Sequence, residues 1–465
     1  MDAGMQDWIE RQFLHSPLGD VRRGRRLAKV AGRFAEGGAD VSGTITSVMG
    51  CPAESDAAYR LFDCEEVTHA NVIAEHCRQV REVVSRPGTY LLIEDSTALA
   101  FPGLREALGL GPIGEDYTRG LWLHTTLAVC PGEVPQVLGL LDQQWWARPP
   151  KKPARRKSTG RGKESNHARQ KREDRESKRW AKSLIEVAAG RAVGCRWIYV
   201  ADRESDIYEV FLACQGSGIS RVIRAAYSRA LAQEEYGYLK EAVSGAAVLG
   251  YATIELPRED RRARLEVRGM RVELRGPSRP GGRLPNHVVN VVQVKEVDVP
   301  PGCQAVEWTL LTDLPVETLE QCLEVVEVYR HRWLIEEFHK ALKTGLKVEK
   351  SQLSDGRRLS ALGGMLSVIA TRLLGMKLLA RHDPQGRPKA EQVGTGKLEV
   401  LRQLYPPKGP MTWRWVWRSI AMLGGFMGRK GDGNPGWLTI WRGWQRLESL
   451  AQGYTLATRQ KCGER

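Results

Sequence analysis

The sequence predicts an α/β protein with helical domains at both ends. Three observations carry that reading. Residues 90–93 and 197–201 are short branched or aromatic runs, and each leads into an acid, Glu94-Asp95 in one case and Asp202 in the other. Such runs read as strands. Residues of about 230–300 alternate Val, Arg and Gly, as in RARLEVRGMRVELRG, which predicts antiparallel hairpins in a β-rich insert. Residues 1–70 and those from 371 onward have helical periodicity instead.

The chain has 465 residues, with 70 Lys+Arg against 55 Asp+Glu and a net charge of +15. That length allows two or three domains. At 42% hydrophobic and 27% charged the composition is globular. The positive excess argues against an enzyme of neutral metabolites and favours a partner with phosphates, either nucleic acid or an anionic membrane surface. The membrane choice is disfavoured, because residues 362–380, the most apolar stretch, are interrupted by Arg372 and Lys377. MDAGMQDWIERQFL lacks the basic start and apolar run of a signal peptide. Nine cysteines form no CxxC pair, so they are expected to be reduced thiols in a cytoplasmic protein. Cys64, His69, His76 and Cys77 lie close together, but their spacing fits no common zinc template.

In chain order, the first domain spans 1–70. On its helix from Asp20, Arg22, Arg26, Lys29 and Arg33 share one stripe, and Leu27, Ala31 and Phe34 share the opposite one. The middle domain spans 71–370. Residues 121–129 and 134–141 are strand-like about the Pro131-Gly132 turn, and a helix is expected over 180–193. Residues 151–179 hold 13 Lys/Arg and four Asp/Glu with almost no apolar side chain, so they read as an exposed basic arm. In the insert, Val267, Met270, Val272 and Leu274 are the candidate inward residues. One long helix is expected over 316–347. The last domain, 371–465, is helical and carries six of the 14 tryptophans between Trp413 and Trp444, as an aromatic core or an interface.

The chemistry concentrates in YRHRWLIEEFHKALK. On a continuous helix Tyr329, Arg332, Glu336, Lys340 and Lys343 share a face about 80° wide, with Leu334, Ile335, Phe338, Ala341 and Leu342 on the other side. Glu337 lies off the polar face. Salt bridging of Glu336 with Arg332 or Lys340 is the plain alternative. A carboxylate at the end of each of two strands, plus one on a helix, can instead converge on a pair of hard divalent ions. Two such ions can activate an attacking oxygen and stabilise a leaving one in phosphodiester displacement.

At these residues the sequence resembles the insertion-sequence-four (IS-four) family of DDE transposases. The family's helix motif Y-x2-R-x3-E-x6-K matches Tyr329, Arg332, Glu336 and Lys343, IEDST matches at Asp95, and DRESD matches at Asp202. LGDVRR, AYRLF, WWARP, EWTLLTDLPVE and LGGFM extend the resemblance over essentially the whole chain.

The resemblance implies an RNase H-like catalytic core interrupted by the β-rich insert. Asp95, Asp202 and Glu336 would bind two Mg²⁺, with Mn²⁺ as a substitute. Tyr329, Arg332 and Lys343 would hold DNA phosphates. Trp308 would stack on a flipped base, and Trp333 would help push it out. Arg224, Arg23 and Arg26 match DNA-contacting positions. The implied activity is cut-and-paste transposition by a homodimer acting on double-stranded transposon ends and target DNA, through a hairpin intermediate. It would take place in the bacterial cytoplasm at the nucleoid. The basic arm is longer and more basic than the family's, so no role carries over to it. The rival readings are a catalytically inactive DNA-binding inhibitor of transposition and an RNase H-like nuclease that never rejoins DNA.

Overall fold

Strand β1 (Gly88–Ala100) belongs to two compact units, and Asp95 lies on it. The computed structural model describes residues 3–36, 43–104, 107–114, 118–149, 176–232, 237–256, 261–279, 281–429 and 431–463. The basic arm at 151–179 lies outside the described residues as far as residue 175.

The other strands are β2 (Gly111–Pro112), β3 (Arg119–Cys130), β4 (Gln136–Trp146), β5 (Cys195–Ala201), β6 (Ser220–Arg224) and β7 (Val248–Leu256). They continue as β8 (Arg261–Leu274), β9 (Ser278–Arg279), β10 (Gly282–Arg283), β11 (His287–Val297) and β12 (Glu307–Thr312). The first helices are α1 (Ala3–Phe13), α2 (Val21–Glu36), α3 (Ile45–Met49), α4 (Pro52–Asp63) and α5 (His69–Val84). Then follow α6 (Glu176–Ala188), α7 (Tyr208–Ser217), α8 (Leu239–Gly245), α9 (Leu319–Arg330) and α10 (Trp333–Lys340). The last are α11 (Gly356–His382), α12 (Ala390–Val393), α13 (Thr395–Leu404), α14 (Trp413–Leu423) and α15 (Trp437–Gly463).

One unit comprises Val84–Asp95 and Lys152–Leu334. Its strands run in the order β1-β5-β6-β12-β11-β8-β7. β1, β5 and β6 pair in parallel and the rest antiparallel. The parallel strands are nearly continuous apolar runs. Leu91, Ile93, Ile198, Val200 and Val222 are all buried, as expected where both faces of a sheet are covered. The alternating segment forms the antiparallel strands β7, β8 and β11 expected of the β-rich insertion, and β11 pairs with β12, which pairs with β6, so the insertion continues the same sheet. Within β8, Val267, Val272 and Leu274 are buried, whereas Met270 is only half-buried.

The other unit comprises Met1–Val83, Ser96–Lys151 and Ile335–Arg465. It holds the β2-β3-β4 antiparallel strands, the end of β1, the N-terminal helices and the C-terminal helices. Among the described residues α11 is the one helix long and apolar enough to cross a membrane, and most of it is buried in the fold. It lies close on β4 because Gly363 has no side chain. A Cβ there would sit 2.3 Å from the Trp145 ring. The C-terminal tryptophans form a core: Trp413, Trp417, Trp437, Trp441 and Trp444 are all buried. Trp444 also donates its indole N–H to the Ala35 carbonyl of α2.

Three of the four residues with zinc-like chemistry, His69, His76 and Cys77, lie on α5, while Cys64 follows α4 with its thiol on the Arg60 carbonyl at 3.3 Å. The Leu140 amide donates to His76 Nε2 at 3.0 Å, so Nδ1 carries the proton and faces Gln12 Oε1. His69 Nε2 bonds Gln143 Oε1 at 3.0 Å. Burial pushes the Cys77 thiol up to about 12, far from a metal-binding thiolate. None of the described cysteines is bridged.

The single helix expected over 316–347 is in fact broken twice. α9 ends at Arg330 and α10 starts at Trp333. At the break, the amides of His331, Arg332 and Leu334 reach carbonyls three residues back. The cause is local. His331 Nδ1 bonds the Glu327 carbonyl at 2.8 Å, which is the acceptor that the His331 amide would use in a continuous helix. After α10, Ala341–Gly345 adopt a π-turn, closed by Leu346 N–H to Ala341 O at 2.8 Å.

Candidate active site

The first two candidate acids stand side by side. β1 and β5 are parallel with Glu94 opposite Ala201, so the next residues, Asp95 and Asp202, are abreast. Adjacent strands lie about 4.8 Å apart. Asp202 keeps extended backbone (φ −88, ψ −161) and caps the 3-10 turn Arg203–Ser205. Its Oδ1 accepts the Glu204 amide at 2.8 Å. Side chains alternate along strands, so both acids leave the sheet on the face opposite Glu94 and Tyr199. Both are half-buried.

The same unit brings cations near Asp202. Tyr329 is buried at the end of α9, and burial raises its hydroxyl above the ordinary value. Arg332 and Arg224 act against that rise, Arg224 also through a hydrogen bond, while Asp202 adds to it. Those couplings place Asp202, Tyr329, Arg224 and Arg332 in one neighbourhood. The Trp308 ring, half-buried on β12, meets Tyr329 edge-on at 5.2 Å. Arg224 also donates to the Glu307 carbonyl at 2.9 Å. Trp333 and Arg332 are half-buried at the break between α9 and α10.

One member of this neighbourhood escaped sequence reasoning. Asp206, the last acid of DRESD, is fully buried as a side chain. It accepts the amides of Ala226 (2.8 Å) and Tyr227 (3.3 Å) and the Arg229 Nε (2.7 Å). It therefore fixes the loop that follows Arg224. The available signal was a second aspartate four residues after Asp202.

Glu336 and Lys343 belong to the other unit. Glu336 is half-buried on α10. Its neighbour Glu337 has a different task. Burial alone would raise the Glu337 carboxyl, but Lys377, the Trp437 indole N–H (3.0 Å) and Lys340 (3.2 Å) pull it down to about 2. Lys340 thus pairs with Glu337. Because of the π-turn, Lys343 does not follow the helical wheel. Its Nζ donates to Thr97 Oγ1 and to Ala98 O, each at 2.7 Å, just past Asp95 on β1.

The predicted basic stripe on α2 is present and largely paired. Arg26 and Lys29 both reach Glu54, at 3.0 and 2.7 Å, and Arg23 pairs with Glu66 at 2.9 Å. Exposed pairs of this kind are weak, so a phosphate can compete with them.

Asp95 and Asp202 offer carboxylate oxygens only, the donors that hard divalent cations take. Among the described residues, no three His, Cys, Asp or Glu side chains are gathered into a metal site.

Comparison with known families yields three matches. Residues 5–67 match the family described as Transposase DNA-binding, and 149–371 match the Transposase DDE domain. Residues 399–461 match the Transposase Tn5 dimerisation domain. Arg23 and Arg26 fall in the first. Asp202 and Glu336 fall in the second, and Asp95 precedes it. The central domain is accordingly RNase H-like, in keeping with the mixed sheet, and DDE domains use divalent metal ions. A DNA-binding segment, a nuclease domain and a dimerisation segment in this order show that the chain belongs to the Tn-five-like IS-four family of DDE transposases.

Proposed function

We propose that the protein is an active cut-and-paste transposase whose chemistry rests on Asp95, Asp202 and Glu336. The observation that carries this reading is the Asp95–Asp202 pair beside Tyr329, Arg224 and Arg332. A paired acid edge next to cations suits a phosphodiester whose charge must be held while a bond breaks. The three acids would hold two Mg²⁺, or Mn²⁺ in substitution, and such ions supply activation of the attacking oxygen and stabilisation of the leaving one.

Arg332, Arg224 and the Tyr329 hydroxyl would bind phosphates flanking the scissile bond, with Lys343 reaching one beyond β1. Water would cleave the element end and release a 3′-hydroxyl. That hydroxyl would attack the opposite strand, giving a hairpin that is reopened before the end joins target DNA. Trp308 would receive a base displaced from the helix, with Trp333 filling its place. Residues 1–70, with Arg23 and Arg26, would grip double-stranded ends, 71–370 would catalyse, and 371–465 would join two copies into the homodimer of a two-ended complex. The reaction would run at the nucleoid in the bacterial cytoplasm.

The test is cleavage of end DNA with Mg²⁺. Asp95→Ala, Asp202→Ala and Glu336→Ala should each abolish cleavage while end binding persists. Full cleavage by any one removes that acid from the set. Binding without cleavage by the unaltered chain would identify a transposition inhibitor instead, and cleavage without strand transfer would identify a nuclease.

A further inference from the structure

Behind the two strand acids lies a buried polar network that the reaction as described does not use. Glu94 is 1% exposed, and Tyr199 and Ser205 are not exposed at all. The Tyr199 hydroxyl donates to Glu94 Oε2 at 2.8 Å, and Ser205 Oγ lies 2.8 Å from the same phenol oxygen. The phenol proton points at the carboxylate, so the Ser205 hydroxyl is the donor in the second bond. Ser183, on α6, donates to Glu94 Oε1 at 3.4 Å. Burial raises the Tyr199 phenol well above its ordinary value, with the Glu94 charge next, so it stays a donor.

The placement of this network matters more than its strength. Glu94 directly precedes Asp95. Ser205 closes the 3-10 turn that Asp202 caps. Strand pairing sets Glu94 opposite Ala201. A ring therefore runs from Asp95 through Glu94, Tyr199 and Ser205 to Asp202, and back across the sheet. Its polar side lies on one face and both acids on the other. Apolar side chains would fill the same space with no polar group to satisfy, and replacing buried polar networks in that way is often neutral or stabilising. Stability alone therefore gives no reason for a carboxylate, a phenol and a hydroxyl here.

We infer that Glu94, Tyr199 and Ser205 are positioning residues that fix the spacing and direction of Asp95 and Asp202 for divalent metal. This rests on the reading of Asp95 and Asp202 as metal-binding acids. Groups of this kind typically change metal affinity by about 10–100-fold when removed.

The experiment uses the full chain and two readouts: Mn²⁺ binding by calorimetry without DNA, and the Mg²⁺ concentration for half-maximal cleavage of end DNA. Tyr199→Phe keeps the ring and removes only the bridging oxygen. It should weaken Mn²⁺ binding about ten-fold and raise the Mg²⁺ requirement to match. End binding without metal should be unchanged. Glu94→Gln, which still accepts from the phenol, should lie between Tyr199→Phe and the unaltered chain. Ser205→Ala leaves the Tyr199–Glu94 bond intact and decides the matter if Tyr199→Phe does not fold. Unchanged metal binding and an unchanged Mg²⁺ requirement in the folded variants overturn the inference. Asp95→Asn and Asp202→Asn run alongside. If they bind Mn²⁺ and cleave normally, the underlying assignment of the acids is what fails.

Discussion

The His331 ring binds the main-chain carbonyl of Glu327 at 2.8 Å and takes the acceptor that a straight helix would give to its own backbone. That one bond explains why Tyr329 and Glu336 do not ride on a continuous α-helix. A turn closed by three-residue bonds advances about 120° per residue in place of about 100°. His331→Leu should let α9 and α10 fuse and should turn Glu336 away from its native direction. Small displacements of catalytic groups can cost about a hundred-fold in rate. We expect cleavage of pre-bound ends to fall at least ten-fold while end affinity stays within about two-fold, read by single-turnover assays. A normal cleavage rate would show that the break has no part in aligning the acid.

Arg332 and Lys343 should separate experimentally, although one motif contains both. Arg332 lies in the Tyr329–Arg224 neighbourhood. Arg332→Ala should weaken binding of all end sequences alike and reduce the salt slope of affinity by about one. Lys343 holds Thr97 and Ala98 of β1 through two bonds from a charged donor. Lys343→Ala should therefore lower the stability of the DNA-free protein by about 1–3 kcal/mol, measured by urea unfolding. An unchanged unfolding midpoint would mean that these two bonds contribute nothing to the fold.

Asp206 and Arg229 form an almost wholly buried ion pair, the carboxylate with no accessible surface. Removing one partner of such a pair leaves an unpaired charge and costs about 3–5 kcal/mol. Asp206→Ala should show that loss and also free the amides of Ala226 and Tyr227. The double variant Asp206→Ala/Arg229→Met should recover part of it. A double-mutant cycle without coupling would show that the pair adds nothing beyond its separate contacts.

The parts of this molecule legible in the sequence are those set by local pattern. The acid-tipped runs at 90–93 and 197–201 are strands because branching and apolarity are local properties; β5 stops at Ala201, just before Asp202, whereas β1 continues past Asp95 to Ala100. Leu27, Ala31 and Phe34 fall on the buried face of α2 for the same reason. What stayed hidden depends on partners distant in sequence. The breaks around α10 arise from a side-chain bond at His331 and a π-turn, neither of which periodicity registers. The engagement of Lys343 with β1 spans some 246 residues. That the hairpins of the 230–300 insertion join the core sheet, through β11 on β12 and β12 on β6, is likewise set by pairing between distant strands. The C-terminal tryptophans could equally have been core or interface. Their burial against α2 and one another, with Trp444 bonded to Ala35, is a tertiary fact.

Glu337 supplies a pH dependence whose sign follows from its surroundings. Lys377, Lys340 and the Trp437 indole hold its carboxylate at about 2, against an ordinary 4.5. A depressed carboxyl stabilises the fold fully above its unfolded value and loses that contribution as pH falls through the folded one. The difference corresponds to roughly 3 kcal/mol, to be taken as an order of magnitude. His76, buried and neutral with its folded value near 4, adds a second loss, beginning as pH drops below 6.5. Unfolding free energy should therefore decline from about pH 6.5 to 4 through His76, and from about pH 4.5 to 2 through Glu337. Glu337→Gln keeps the size and one acceptor but not the charge. It should be less stable than the parent at pH 7, and the gap should narrow progressively below pH 4.5 in denaturant titrations. A gap that stays constant down to pH 2 would show that the carboxylate charge is not what Lys377 and Trp437 hold.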